Sequence, residues 1–212
     1  KVKFTKDWFV DSNRRDFTIN AISCDFNGDL YDYHNGLKDL KEGRIKFIGD
    51  SKKRIKEDFL RILRYFRIYA YYGKKNIEKH QINIFKKLSP NLKKLSSERI
   101  YSEFKQILLS ENSYKTLKLM DNLKVLKYII FNNNHLEKIK SLNKLNKINN
   151  LIDFSTKLVI LLNQKNISKV SKNLKLSKIE DNKIKKIAHL SKDFNFNDFE
   201  KNTIKYIYYH GQ

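Results

Sequence analysis

The chain has 212 residues, 40% hydrophobic and 32% charged, with a formal net charge of +22. This length and apolar content suit one large or two small packed domains rather than a disordered chain, and no apolar run approaches a membrane span. The single cysteine, Cys24, excludes a disulfide framework and a multi-cysteine metal site and fits a cytoplasmic setting, while the positive charge points to a polyanionic partner.

In chain order, Val2–Phe4 reads as a short strand, and Phe17–Phe26, with its β-branched and aromatic residues, as a second. Cys24 would be a small, half-buried residue of that strand. Asn27-Gly28 is a hairpin turn signal, with Leu30–Tyr33 returning from it. Asp25-x-Asn27-x-Asp29 fails as a calcium loop, because Leu30 and Gly36 stand where glycine and glutamate are needed. Arg44–Gly49 reads as another extended piece before a helix that begins near Lys53. Beyond Gly73 the periodicity is helical over Ile77–Leu88, Ser97–Leu109 and Tyr114–Leu119, with Pro90 as a breaker between the first two. Ser97-Glu98 heads a capped amphipathic helix. From Asn132 the composition shifts to lysine, asparagine, leucine and isoleucine, with amphipathic pieces at Leu136–Ile148 and Ile179–Leu190. His34, His80, His135, His189 and His210 lack ligand spacing.

The stretch from Glu57 to Ala70 carries the chemistry. It contains no proline or glycine and reads as one helix, with Phe59, Ile62, Leu63, Phe66, Tyr69 and Ala70 on its apolar half. Asp58, Arg61, Arg64 and Arg67 recur every third residue on the other half, beside Leu60, Tyr65 and Ile68. Guanidinium forks match phosphate oxygens and base edges, and an adjacent carboxylate adds acceptors. The same spacing also fits a plain intrahelical Asp58–Arg61 pair on a solvated face. Lysine is spread along the chain, whereas every arginine lies between Arg14 and Arg99. Lysine richness alone could reflect compositional drift; clustered arginine suggests a site.

Glu57-Asp58-x-x-Arg61-x-x-Arg64-x-x-Arg67 resembles a motif of the class II tRNA nucleotidyltransferase and poly(A) polymerase family, and Arg14-Arg15-Asp16-Phe17-Thr18-Ile19-Asn20-Ala21 resembles another. Asp32-x-x-x-Gly36-Leu37-x-Asp39-Leu40 with Ile48-Gly49 is similar to the family's hinge, and Leu95-Ser96-x-Glu98-Arg99-Ile100-x-x-Glu103 to the helix after it. The run Arg54-Ile55-x-Glu57-Asp58-x-Leu60-Arg61-Ile62-Leu63-Arg64 is most similar to the bacterial CCA-adding branch.

The resemblance implies an α+β chain: the end of a nucleotidyltransferase head over residues 1–50, a helical neck over 51–131 and a helical, RNA-binding body over 132–212. It implies that C, C and A are added to tRNA 3′ ends from CTP and ATP, the RNA 3′-hydroxyl attacking an α-phosphate and pyrophosphate leaving. Asp58 and Arg61 would read the base, and Arg64, Arg67 and Arg15 would hold phosphates and ribose, with Asp16 close by and involved in ribose selection. Glu98 and Arg99 would be structural. Two Mg²⁺ ions would be held by carboxylates upstream of Lys1, with no metal ligands or catalytic carboxylates in the chain as given, which is therefore expected to be a fragment inactive by itself. No membrane and no obligate protein partner are expected. The alternatives are poly(A) addition and a non-catalytic, basic RNA-binding module.

Overall fold

The computed structural model describes residues 7–130, 135–149, 152–162 and 166–190. The strand expected over Val2–Phe4 lies outside them. The Asp7 carboxylate accepts from the backbone N–H of Phe9 at 2.8 Å and of Val10 at 3.3 Å, and so opens a short helix α1, Trp8–Asn13. Next, Phe17 is extended and bridges Phe47, with Thr18 N–H donating to Lys46 O at 3.0 Å and Ile48 N–H to Asp16 O at 3.1 Å. This backbone zip fixes the Arg14-Arg15-Asp16 segment against the start of the helical region.

The expected strand over Phe17–Phe26 is interrupted. Asn20 Oδ1 accepts from Phe17 N–H at 3.0 Å and Thr18 Oγ1 donates to the buried Asp39 at 2.8 Å, diverting residues 18–20 into a 3-10 turn. Beyond that turn β1, Ser23–Cys24, and β2, Leu30–Tyr31, pair antiparallel, with Ser23 opposite Tyr31 and Cys24 opposite Leu30. Asn27-Gly28 forms the turn, with Gly28 at φ 91°. Cys24 is exposed rather than half-buried. Beyond Tyr31, Asp32 accepts from the N–H groups of Gly36 at 2.7 Å and Leu37 at 2.9 Å, ending the strand and starting α2, Gly36–Glu42. A Cβ on Gly36 would lie 2.2 Å from Thr18 O, so this helix docks only because position 36 has no side chain.

Asp50 caps α3, Ser51–Glu57, by accepting from Lys53 N–H at 2.6 Å. The helix expected to run through to Ala70 breaks here: Asp58 is extended at φ −151°, and α4 spans Arg61–Tyr72. Ile62, Leu63 and Phe66 of α4 are fully buried, and Leu60 and Tyr65, expected on the polar half, are only 3% exposed. The core around them is aromatic, with ring centroids 4.6 Å apart for Phe17–Phe47, 4.8 Å for Tyr65–Phe85 and 5.2 Å for Phe66–Phe85.

Helices α5 (Lys79–Leu88), α6 (Ser97–Leu109) and α7 (Ser113–Asn122) follow, with Pro90 in a 3-10 turn before α6. α6 and α7 both pack on α4. Then α8 (Leu136–Asn149), α9 (Phe154–Leu161), α10 (Ile167–Leu174) and α11 (Lys178–Leu190) stack on α7, on one another and on α6. The α6–α11 seam is polar: Lys105 Nζ meets Glu180 Oε1 at 3.0 Å, and Tyr101 donates to the same oxygen. Burial would raise the Glu180 carboxyl, but hydrogen bonds from Tyr101, Lys105 and Ser177 pull it down to about 2. The architecture is α+β, with one small antiparallel pair beside a mostly helical body.

Candidate nucleotide-binding site

Three segments far apart in sequence converge at the α3–α4 break. The zip between residues 16–18 and 46–48 presents Asp16 to α4. There its Oδ1 accepts from Arg61 Nε at 2.6 Å and its Oδ2 from Arg64 Nη1 at 2.7 Å, while Arg54 Nη2 stands 3.7 Å away. Burial alone would raise the Asp16 carboxyl, but hydrogen bonds from Arg64 and Arg61, with their charge, hold it below the ordinary range. Arg54 Nη2 also donates to the backbone carbonyls of Arg14 at 3.2 Å and Arg15 at 2.8 Å. Arg54 therefore clamps the entrance segment on which Arg15 sits.

Arg61 is the most enclosed of the arginines on α4, its side chain 13% exposed. Its Nη1 donates to Glu57 Oε2 at 2.7 Å and to Arg54 O at 2.5 Å. With Nε on Asp16, that leaves Nη2 as its unengaged edge among the described residues. Burial opposes the Arg61 charge, yet Glu57 and Asp16 raise its pKa further. Arg64 and Arg67 are 36% and 35% exposed and both face Glu103 of α6, at 3.5 and 2.8 Å. Burial pushes the Glu103 carboxyl up, and the charges of Arg67 and Arg64 only partly offset it. Arg15, 53% exposed, pairs with Asp11 at 2.6 Å rather than with Asp16.

Asp58 is not on the arginine face of a continuous helix, and it forms no intrahelical pair with Arg61. Its Oδ1 accepts from Leu60 N–H at 3.1 Å, which starts the turn into α4, and its Oδ2 accepts from Arg99 Nη2 at 2.7 Å. Each oxygen retains a second lone pair. The roles of Arg54, Arg99 and Glu103 as supports are not evident from helical spacing, although all three lie inside the motifs.

The arrangement can receive an anionic, planar-edged ligand. The outer nitrogens of Arg61, Arg64 and Arg67 are oriented in advance by Asp16, Glu57 and Glu103, so little side-chain freedom is lost on binding. Both Asp16 oxygens are engaged by guanidinium donors, at 2.6 and 2.7 Å. Among the described residues, no group of three or more His, Cys, Asp or Glu side chains could hold a metal ion. The Mg²⁺ that the resemblance implies therefore does not fit these residues, and no step is assigned to it. No helix among the described residues is long and apolar enough to cross a membrane.

Two family models match, the poly A polymerase head domain over residues 1–46 and the probable RNA and SrmB-binding site of polymerase A over residues 76–132. The chain is 39% identical over 191 residues to the mitochondrial CCA tRNA nucleotidyltransferase 1 of Homo sapiens, an overlap of 86% of this chain and 43% of the relative. It is 37% identical over 186 residues to the CCA-adding enzyme of Staphylococcus haemolyticus, covering 87% and 44%. Mitochondrial and bacterial enzymes are thus both among its relatives, and the chain spans less than half the length of either. A solved CCA-adding enzyme in complex with ATP superposes with a TM-score of 0.63 at 25% identity, over 84% of this chain and 46% of that one. The Thermotoga maritima CCA-adding enzyme complexed with tRNA shares the fold, with a TM-score of 0.67 at 22% identity over 97% and 54%. With the arginine-bearing motifs joined in one cluster and the matches running from the head segment through the helical region, the chain belongs to the tRNA nucleotidyltransferase and poly(A) polymerase family.

Proposed function

We propose that this chain is the nucleotide-selecting and RNA-holding part of a CCA-adding tRNA nucleotidyltransferase. The observation that carries the reading is the Asp16–Arg61–Arg64 cluster, which joins the end of the head to the arginine helix and holds two guanidiniums ready for an incoming nucleotide. The reaction is attack of the RNA 3′-hydroxyl oxygen on the α-phosphorus of CTP or ATP. A new P–O bond forms as the bond to pyrophosphate breaks. Arg61, through its free edge, and Asp58, through its remaining lone pairs, read the base. Arg64, Arg67 and Arg15 hold phosphates and ribose, and Arg54, Arg99 and Glu103 position them.

The division into head (1–50), neck (51–131) and body (132–212) follows this assignment, and the start of α3 after Asp50 supports the first joint. The tRNA 3′ end is the polyanionic partner that the +22 charge suits. The single cysteine supports a cytoplasmic setting, and the human mitochondrial relative supports an organellar one.

Poly(A) addition is the second reading, favoured by the two family models named for poly(A) polymerase. Supplying the whole gene product with Mg²⁺, tRNA lacking its 3′-terminal CCA, and each nucleoside triphosphate separates the readings. Two C and one A added in order support the first. Repeated A addition supports the second, and RNA binding without addition of any nucleotide supports a binding module.

A further inference from the structure

On another flank of α4, the segment 44–50, the start of α3 and the turn entering α5 line a pocket of about 230 Å³. Phe47, Tyr65 and Ile84 give it an apolar wall. Its polar lining is unpaired where it is most buried. Gln81 is 6% exposed, and its Nε2 has no hydrogen-bond partner. Tyr65 is 3% exposed, and its phenol makes ring contacts but no hydrogen bond among the described residues. Buried polar atoms without partners are rare in native proteins, and the Gln81 amide nitrogen, one of them, lines this cavity beside Tyr65.

The lining is also charged, with both signs present. Arg44 pairs with Glu42 at 2.7 Å, while Asp50, which caps α3 at 2.6 Å, and Glu78, 3.2 Å from the His80 ring, are the carboxylates of the lining. Arg44, Lys46 and Lys75 outnumber the two lining carboxylates, Asp50 and Glu78, and neither lysine is ion-paired among the described residues. Water could satisfy the amide and the phenol but would not neutralise the lysines. The volume is below the roughly 300–1,000 Å³ of pockets for drug-sized ligands, which is too little for a whole nucleoside triphosphate.

We propose that this pocket is a site for a small phosphorylated polyol of sugar-phosphate size, distinct from the arginine cluster. Lys46 and Lys75 take the phosphate, and the Gln81 amide and Tyr65 phenol take the hydroxyls. Because Tyr65 adjoins Arg64 in α4 and Phe47 belongs to the zip that presents Asp16, the bound ligand braces the same joint that aligns the arginines.

Thermal unfolding and calorimetry of the 212-residue chain with ribose 5-phosphate test the proposal, with inorganic phosphate and ribose as the other two arms. Ribose 5-phosphate should raise Tm in a dose-dependent way, more than inorganic phosphate, while ribose alone gives no shift. Lys46→Ala with Lys75→Ala should weaken half-saturation about tenfold or more. Gln81→Leu should abolish the advantage over inorganic phosphate, and Arg64→Ala should leave the response intact. No shift with ribose 5-phosphate, an equal shift with inorganic phosphate, an undiminished response in either pocket variant, or loss of the response in Arg64→Ala would each overturn it.

Discussion

Arg99 of α6 donates from Nη2 to Asp58 Oδ2 at 2.7 Å, across the break between α3 and α4. The break carries no glycine or proline, so the extended backbone of Asp58 is held by this tertiary contact and by the Leu60 N–H that its other oxygen accepts. α6 thus supports the site by gripping the residue that separates α3 from α4.

Arg99→Ala should therefore loosen Asp58 without removing it. Both side chains are partly exposed, 46% and 26%, so the stability loss should be below about 1 kcal/mol. Urea unfolding measures that loss, and nucleotide discrimination by the whole gene product should fall alongside it. A variant with reduced stability and intact discrimination would make the contact structural only.

Asp16→Asn removes the carboxylate shared by Arg61 and Arg64 and should cost about 1.5–3 kcal/mol, toward the lower end because Arg64 is a third exposed. The Asp16 pKa is depressed in the folded state. Its contribution is thus fully present above the unfolded carboxylate value of about 3.9 and lost as pH falls through the folded value. Denaturation midpoints from neutral pH into this acid range should show the gap between wild type and variant closing as pH falls. Glu103, raised mainly by burial, has the opposite pH dependence, and losing the Asp16 charge relieves part of its shift in the variant.

Lys157 of α9 is 1% exposed, and its Nζ donates to Asn143 Oδ1 at 3.1 Å with no carboxylate as partner. Burial lowers its pKa. Between that lowered value and the unfolded value of about 10.4, the unfolded chain binds a proton that the folded chain has released, so stability rises with pH. Lys157→Met should remove this alkaline gain and raise stability at neutral pH, as read by thermal unfolding from pH 7 to pH 10.

What the sequence disclosed follows from the range of the forces involved. Ser97–Leu109 is readable to the residue because its apolar face alone specifies the helix. α9, Phe154–Leu161, is short and buried on nearly all sides, so no periodicity betrays it. Asp16 was legible as a motif member but not as the hub of the site, because its partners lie 45 and 48 residues away. The break at Asp58 was hidden for the same reason, its determinant Arg99 being 41 residues downstream. Lysines, read as a solvated face, include the buried Lys157.

Binding of tRNA to the chain should fall steeply with salt, with a log–log slope of about −0.7 to −0.9 per phosphate contacted. Filter binding at several salt concentrations measures the slope. A flat dependence would remove the electrostatic basis for holding RNA.

The assignment of base reading to Asp58 and Arg61 is tested most directly by steady-state use of CTP, ATP, UTP and GTP by the whole gene product, wild type against Asp58→Ala. Loss of a base-edge hydrogen bond to a charged group should reduce discrimination about tenfold to a hundredfold, whereas Arg15→Ala should weaken all four nucleotides together. If folded Asp58→Ala keeps the wild-type preference ratios, Asp58 serves only to hold the helix break, and the selecting role assigned to this site is wrong.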